Sequence, residues 1–407
     1  MAPHRSFVLI GTLLVLGIQL GMAAELTVPV LEMASTGSIT NGEFSLVSVA
    51  QADISLQGGY KYGGLLRLGF NTQDLEKALG YSRTKLEPIS GAPTQADYNT
   101  LLDRYNNLSA LNFKLAQVSV RKPFSLPMEF SYFIGFSDTF CSGDDFPRLF
   151  GSAPIGSEFR GFAYFPRGIA DTPAYQYQGI HQAIGTGFQM SILQWENLIP
   201  ILYLYQDSAF IDSNGIPQSG YYSGDLRLLA NSQYVKFEAF AGATAGYGSY
   251  GMYRGGILAY FSTGTGADFL AQVGIPGWEG GTGFTVDNFY FLFEPRLSVG
   301  WFALHFTLFS HPLRYLQLIN LDEKGATDIN IKLLVGDLHT NRLQAGIENT
   351  LYLRSLSSGN TMDWRVSPFF SVITEGIRWD WKIRIAPLQY TTPLEMADIF
   401  IGIRTAY

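Results

Sequence analysis

From residue 220 to the C-terminus the chain alternates apolar and polar positions with a period of two, over stretches of about ten residues. Between residues 376 and 387, Ile377, Trp379, Trp381, Ile383 and Ile385 fall in one phase, while Arg378, Asp380, Lys382 and Arg384 fall in the other. Successive side chains of a strand point to opposite faces, whereas a helix would mix these two sets. Phe302, Leu304, Phe306 and Leu308 separate in the same way from Ala303, His305 and Thr307. So do Ile329, Ile331, Leu333 and Val335 from Asp328, Asn330 and Lys332. Strands of soluble sandwiches average ~5–6 residues and hide their apolar face against a second sheet. These run longer and carry whole charges on the polar phase. A tilted membrane-spanning strand needs ~9–11 residues, apolar toward lipid and polar toward a lumen. The pattern therefore predicts an all-β fold, a transmembrane antiparallel up-and-down β-barrel.

Connections alternate between tight ones, such as Glu196-Asn197, Asn231-Ser232 and Glu375-Gly376, and long ones, such as 207–219, 310–327, 355–362 and 388–396. Short turns on one side and long loops on the other are what such a barrel requires. Extending the alternation to strands near residues 181, 127, 109, 61 and 44 needs one more at Leu26–Met33 for an even number, which predicts about 18 strands, with 16 as the alternative. Residues 71–108 break the period. They read as a short helical insertion, with Leu101, Leu102, Tyr105 and Leu108 on one stripe, placed as a lid or a constriction.

Composition sharpens this reading. Of 407 residues only 15% are charged, against ~25% in soluble domains, and 14% are aromatic. Phe130, Tyr132, Trp364, Phe370, Trp379 and Trp381 lie on apolar phases, where rings form the interfacial girdles of a barrel. Residues 1–24 show a basic start, an apolar run from Phe7 to Leu20 and small residues at Gly21–Ala24, the layout of a secretory signal peptide. Residues 25–407 are expected to form a single barrel domain, since no linker or repeat divides them. One cysteine, Cys141, excludes an internal disulfide and a Cys-built metal site.

In the last segment Ile399, Ile401, Ile403 and the terminal Tyr407 share one face. This resembles the last strand of bacterial outer-membrane β-barrels of the porin-like, channel type. The resemblance implies a location in the cell outer membrane, contact with its lipid, and recognition of Ile399, Ile401, Ile403 and Tyr407 by the barrel-assembly machinery.

Chemical motifs are sparse. Gly246–Gly251 matches G-x-G-x-x-G without a following helix, and Asp144-Asp145 reads as a solvated loop rather than a calcium site. No catalytic residue, metal site or cofactor is expected, so the chain is not read as an enzyme, and its acidic balance suits no nucleic-acid partner. Sorting charges by phase places twelve cations on the inner wall: Arg67, Arg227, Lys236, Arg254, Lys332, Arg342, Arg354, Arg365, Arg378, Lys382, Arg384 and Arg404. Seven anions oppose them, Glu129, Asp225, Glu238, Asp328, Glu348, Asp380 and Asp398. Rings of charge set pore selectivity. The expected function is a pore for diffusion or facilitated uptake of small, preferentially anionic solutes. The competing readings are a transporter of fatty acids or other hydrophobic compounds and a surface adhesin or scaffold anchored by its barrel.

Overall fold

Backbone N–H and C=O groups inside a bilayer have no water to bond, so a sheet there must close on itself. The computed structural model describes residues 24–26, 30–40, 42–72, 109–157, 179–209, 220–248, 250–313, 323–337, 342–356, 358–390 and 395–405. Its strands are Ala24–Leu26 (β1), Val30–Thr40 (β2), Glu43–Gly58 (β3), Tyr62–Thr72 (β4), Ser109–Arg121 (β5), Met128–Phe140 (β6), His181–Ile192 (β7), Leu198–Asp207 (β8), Tyr222–Asn231 (β9), Val235–Ala245 (β10), Met252–Ser262 (β11), Ala267–Glu279 (β12), Tyr290–Val299 (β13), Phe302–His311 (β14), Glu323–Asp337 (β15), Leu343–Leu356 (β16), Gly359–Thr374 (β17), Ile377–Ile385 (β18) and Ala397–Thr405 (β19). Each of β2 to β19 pairs antiparallel with its sequence neighbours, and β19 closes onto β2 through Ile399↔Gly37 to Arg404↔Glu32. The result is a closed barrel of 18 antiparallel strands. The short β1 extends the edge of β2, since both lie against β3. The strand expected at Leu26–Met33 is thus present in two pieces.

Connections of two to six residues join β3 to β4, β5 to β6, β7 to β8 and the corresponding later pairs, and the start of β2 and the end of β19 lie at that end of the barrel. The longer connections lie at the other end. One expected loop is shorter than its residue types suggest: pairing of β16 with β17 continues to Leu356↔Gly359, so the serine- and glycine-rich stretch 355–362 is mostly strand. In the insertion, Asn71 and Thr72 still belong to β4. The helices and lid expected over 73–108, the leader, and Tyr407 lie outside the described residues.

The predicted phases are the two faces of the wall. Phe130, Tyr132, Trp364, Phe370, Trp381, Ile399 and Ile401 stand exposed on the outside. The inner phase is buried and polar, with Arg227, Glu238, Gln272, Glu294, Asp328 and Asn330 among its least accessible residues.

Candidate functional site

The inner wall does not enclose a uniform space, because the chain turns inward after β6. Phe140 is the last inward side chain of that strand. Cys141 then takes a left-handed conformation (φ 54°), and Gly143 follows at φ 81°. A side chain at Gly143 would run into Ile155, so only glycine fits the bend. A one-and-a-half-turn helix, Asp145–Phe150 (α1), ends at Gly151, whose left-handed conformation and N–H bond to the Pro147 carbonyl (2.9 Å) stop it.

The segment 141–157 is fixed to the inner faces of five strands. The Cys141 N–H donates to Glu238 Oε1 on β10 (2.5 Å), and its carbonyl accepts from Gln272 Nε2 on β12 (2.6 Å). Asp145 accepts from Arg227 Nη1 on β9 (2.5 Å) and from its own helix's Arg148 (2.7 Å). Asp138 on β6 lies 3.7 Å from that same Arg148. At the far end Ser157 donates to Glu294 Oε2 (2.6 Å), and the Gly156 carbonyl accepts from Arg296 Nη2 (2.6 Å), both on β13. Between these anchors Phe146 and Ile155 are fully buried in a cluster that includes Phe140, Tyr203 and Phe240. Burial alone would raise the Asp145 carboxyl pKa. The guanidinium groups of Arg227 and Arg148 outweigh it and hold the group well below the usual carboxylate range. The Cys141 thiol is pushed well up, first by burial and then by the charge of Glu238, with Arg227 opposing.

The segment makes two unlike arcs. On the wall it covers, Arg227 pairs with Glu238 (2.7 Å) with neither side chain exposed. Arg254 pairs with Asp225 (2.6 Å) while also donating to Thr244 (2.6 Å) and Tyr205 (3.2 Å). On the opposite arc, from β15 through β19 to β5, charges remain accessible. Arg378, Arg404, Lys114 and Arg121 keep between 25% and 39% of their side-chain surface.

The fold is that of the outer-membrane porins. OccAB4 of Acinetobacter baumannii superimposes with a TM-score of 0.53 at 8% identity, over 93% of this chain and 96% of that one. OccAB1 of the same organism gives 0.51 at 7% identity over 94% and 96%, and OpdL of Pseudomonas aeruginosa 0.50 at 10% identity over 93% and 98%. No protein-family model matches the sequence, and no curated protein does.

Within this porin-type barrel most of the expected wall cations lie on the inner face, but paired. Lys332 and Lys382 share Glu348, the first at 3.3 Å. Arg354 binds Asp328 (2.6 Å), Arg365 binds Asp363 (2.9 Å), Arg378 binds Asp380 (2.8 Å), Arg384 binds Asp398 (2.5 Å) and Arg404 binds Glu32 (3.0 Å). Lys236 lies over the Tyr260 ring, 5.4 Å from its centroid, and Arg67 has no ion pair among the described residues. Arg342 is misplaced by the phase argument. It stands exposed in the turn before β16 with φ 55°, outside the alternation that assigned it to the wall.

Seven carboxylates beyond those expected also lie on the inner face, Glu32, Asp53, Asp138, Asp207, Asp268, Glu294 and Asp363, against three further cations, Lys114, Arg121 and Arg296. These residues bring anions level with cations and remove the basic surplus. Several could have been found: Glu294 and Arg296 alternate with Tyr290 and Leu292 on the buried phase of β13, and apolar residues on both phases hid that strand's orientation. Asp145, expected in a solvated loop, is buried against Arg227.

Proposed function

We propose that this chain is an outer-membrane channel through which small hydrophilic solutes diffuse, a channel rather than an enzyme. The observation that carries the reading is the division of the lumen: one arc is packed by the segment 141–157, and the other presents accessible charged side chains from β15 through β19 to β5. Water and solute move along that second arc. The leader at residues 1–24 and the last strand, with Ile399 and Ile401 facing outward, support export and insertion by the barrel-assembly machinery.

Because nearly every wall cation is held by a carboxylate, any preference for anions is mild and comes from the accessible arc, where Arg67 has no ion pair among the described residues. The test is a planar-bilayer recording of the refolded protein under a potassium chloride gradient. Stepwise conductance with a reversal potential near zero or slightly toward anions is expected. A barrel that inserts without conducting overturns the channel reading, and strong cation selectivity overturns the account of its wall.

A further inference from the structure

We propose that the outer surface around Asn349 is a contact between two copies of this chain, related by a twofold axis. The proposal rests on the membrane placement argued above. Along the outward phase of β16 the chain places Leu343, Ala345 and Ile347 on one side of Asn349 and Leu351 and Leu353 on the other, so a primary amide stands in the middle of an apolar run. Asn349 is exposed. Its Oδ1 accepts a bond from Trp364 Nε1 on β17 (2.5 Å), and its amide nitrogen has no partner among the described residues. Hydrocarbon offers no acceptor, so two free N–H groups at that depth are costly until another polar surface covers them. The same barrel satisfies such groups elsewhere: Ser35 and Ser48, on the outward phase of β2 and β3, bond to each other at 2.9 Å.

A depression of about 310 Å³ surrounds the amide, lined by Ile329, Ile331, Asn349, Leu351, Met362 and Trp364. Met362 is 54% exposed at its rim. A hollow next to a projecting side chain is the relief that a self-complementary contact needs. The amide itself is self-complementary. Across a twofold axis the Nδ2–H of each copy meets the Oδ1 of the other, whose second lone pair is still open after the bond from Trp364. An acyl chain fills the hollow and leaves both donors unpaired, whereas a second copy fills it and pairs one N–H of each amide.

The twofold relation makes a sharp test, since a residue on the axis touches itself. Asn349→Cys, oxidised with copper phenanthroline in native membranes, is expected to give a disulfide-linked dimer. Ile257→Cys on β11, five strands away and equally outward, is expected to stay monomeric. Cys141 is buried inside the barrel and does not confuse the assay. Native mass spectrometry of the unaltered protein is expected to show a dimer that falls at least tenfold in Asn349→Leu, with heat-modifiable gel mobility reporting an intact barrel. A membrane-embedded, folded Asn349→Cys protein that does not cross-link overturns the proposal, as does a monomer carrying only bound lipid. Recovery of the chain in the soluble fraction overturns the membrane placement instead.

Discussion

Arg227 Nη1 donates to Asp145 Oδ2 over 2.5 Å, tying a residue of the barrel wall to a helix that the chain folds into the lumen. Both side chains are removed from water, and the same guanidinium also holds Glu238. Removing one partner of such a buried cluster leaves charges uncompensated, at a cost of about 3–5 kcal/mol. Arg227→Met should therefore loosen the segment 141–157 while the strands remain paired. Cys141 is the natural reporter: in the wild type its thiol is buried and its pKa is raised, so maleimide should label it very slowly. Labelling is expected to accelerate at least tenfold in Arg227→Met. An unchanged rate would mean that the hydrophobic anchors Phe146 and Ile155 suffice without the ion pair.

The same pairing fixes a pH dependence. The Asp145 carboxyl has a lower pKa in the folded segment than its ordinary 3.8. As pH falls below that ordinary value, the released segment takes up a proton more readily than the packed one. The contribution of the pair is thus complete above about pH 4 and is lost as pH drops through the lowered folded value. Single-channel conductance should be constant from pH 7 to pH 5 and change only in the strongly acidic range. A conductance transition between pH 5 and pH 7 would assign the gating to another group.

What the sequence displayed plainly was the wall of the later strands. Where Trp379 and Trp381 alternate with Asp380 and Lys382, period and charge together set both the strand and its two faces. The alternation depends on local geometry, so it can be read in one dimension. The contents of the lumen depend on contacts between distant residues: Cys141 meets Glu238 across 97 positions and Ser157 meets Glu294 across 137. Nothing in Ser142-Gly143-Asp144-Asp145 distinguishes a solvated loop from one whose carboxylate finds a buried arginine. The earlier strands were also harder to read, because β8 buries Ile199, Ile201 and Tyr203 inside while Leu202 and Leu204 face outward. Rings and aliphatic side chains inside a barrel look like membrane-facing ones until a third element is seen to pack on them.

If the outward phase faces hydrocarbon, a charge placed there should be costly in proportion to depth. Ile401 is 44% exposed near the middle of β19. Ile401→Arg is expected to lower the stability of the barrel in lipid vesicles by ~2–4 kcal/mol, and Thr405→Arg at the strand end by ~0–1 kcal/mol. Reversible urea unfolding followed by tryptophan fluorescence measures both. Equal and small effects at the two sites would place the outer surface in water.

The path of the solute can be separated from the wall it avoids. Arg67 sits on the inward phase of β4, opposite Ser55, with no ion pair among the described residues, so reversing its charge orphans no carboxylate among them. Lys236 also has no ion pair among the described residues, but it rests over the Tyr260 ring on the arc that the segment 141–157 packs against. If solute runs along the accessible arc, Arg67→Glu should move the reversal potential toward cations, by changing two unit charges beside the path. Lys236→Glu makes the same formal change and should shift it much less. Recordings of both variants under the same salt gradient give the comparison. A larger shift from Lys236→Glu would move the conducting path to the arc assigned here to packing.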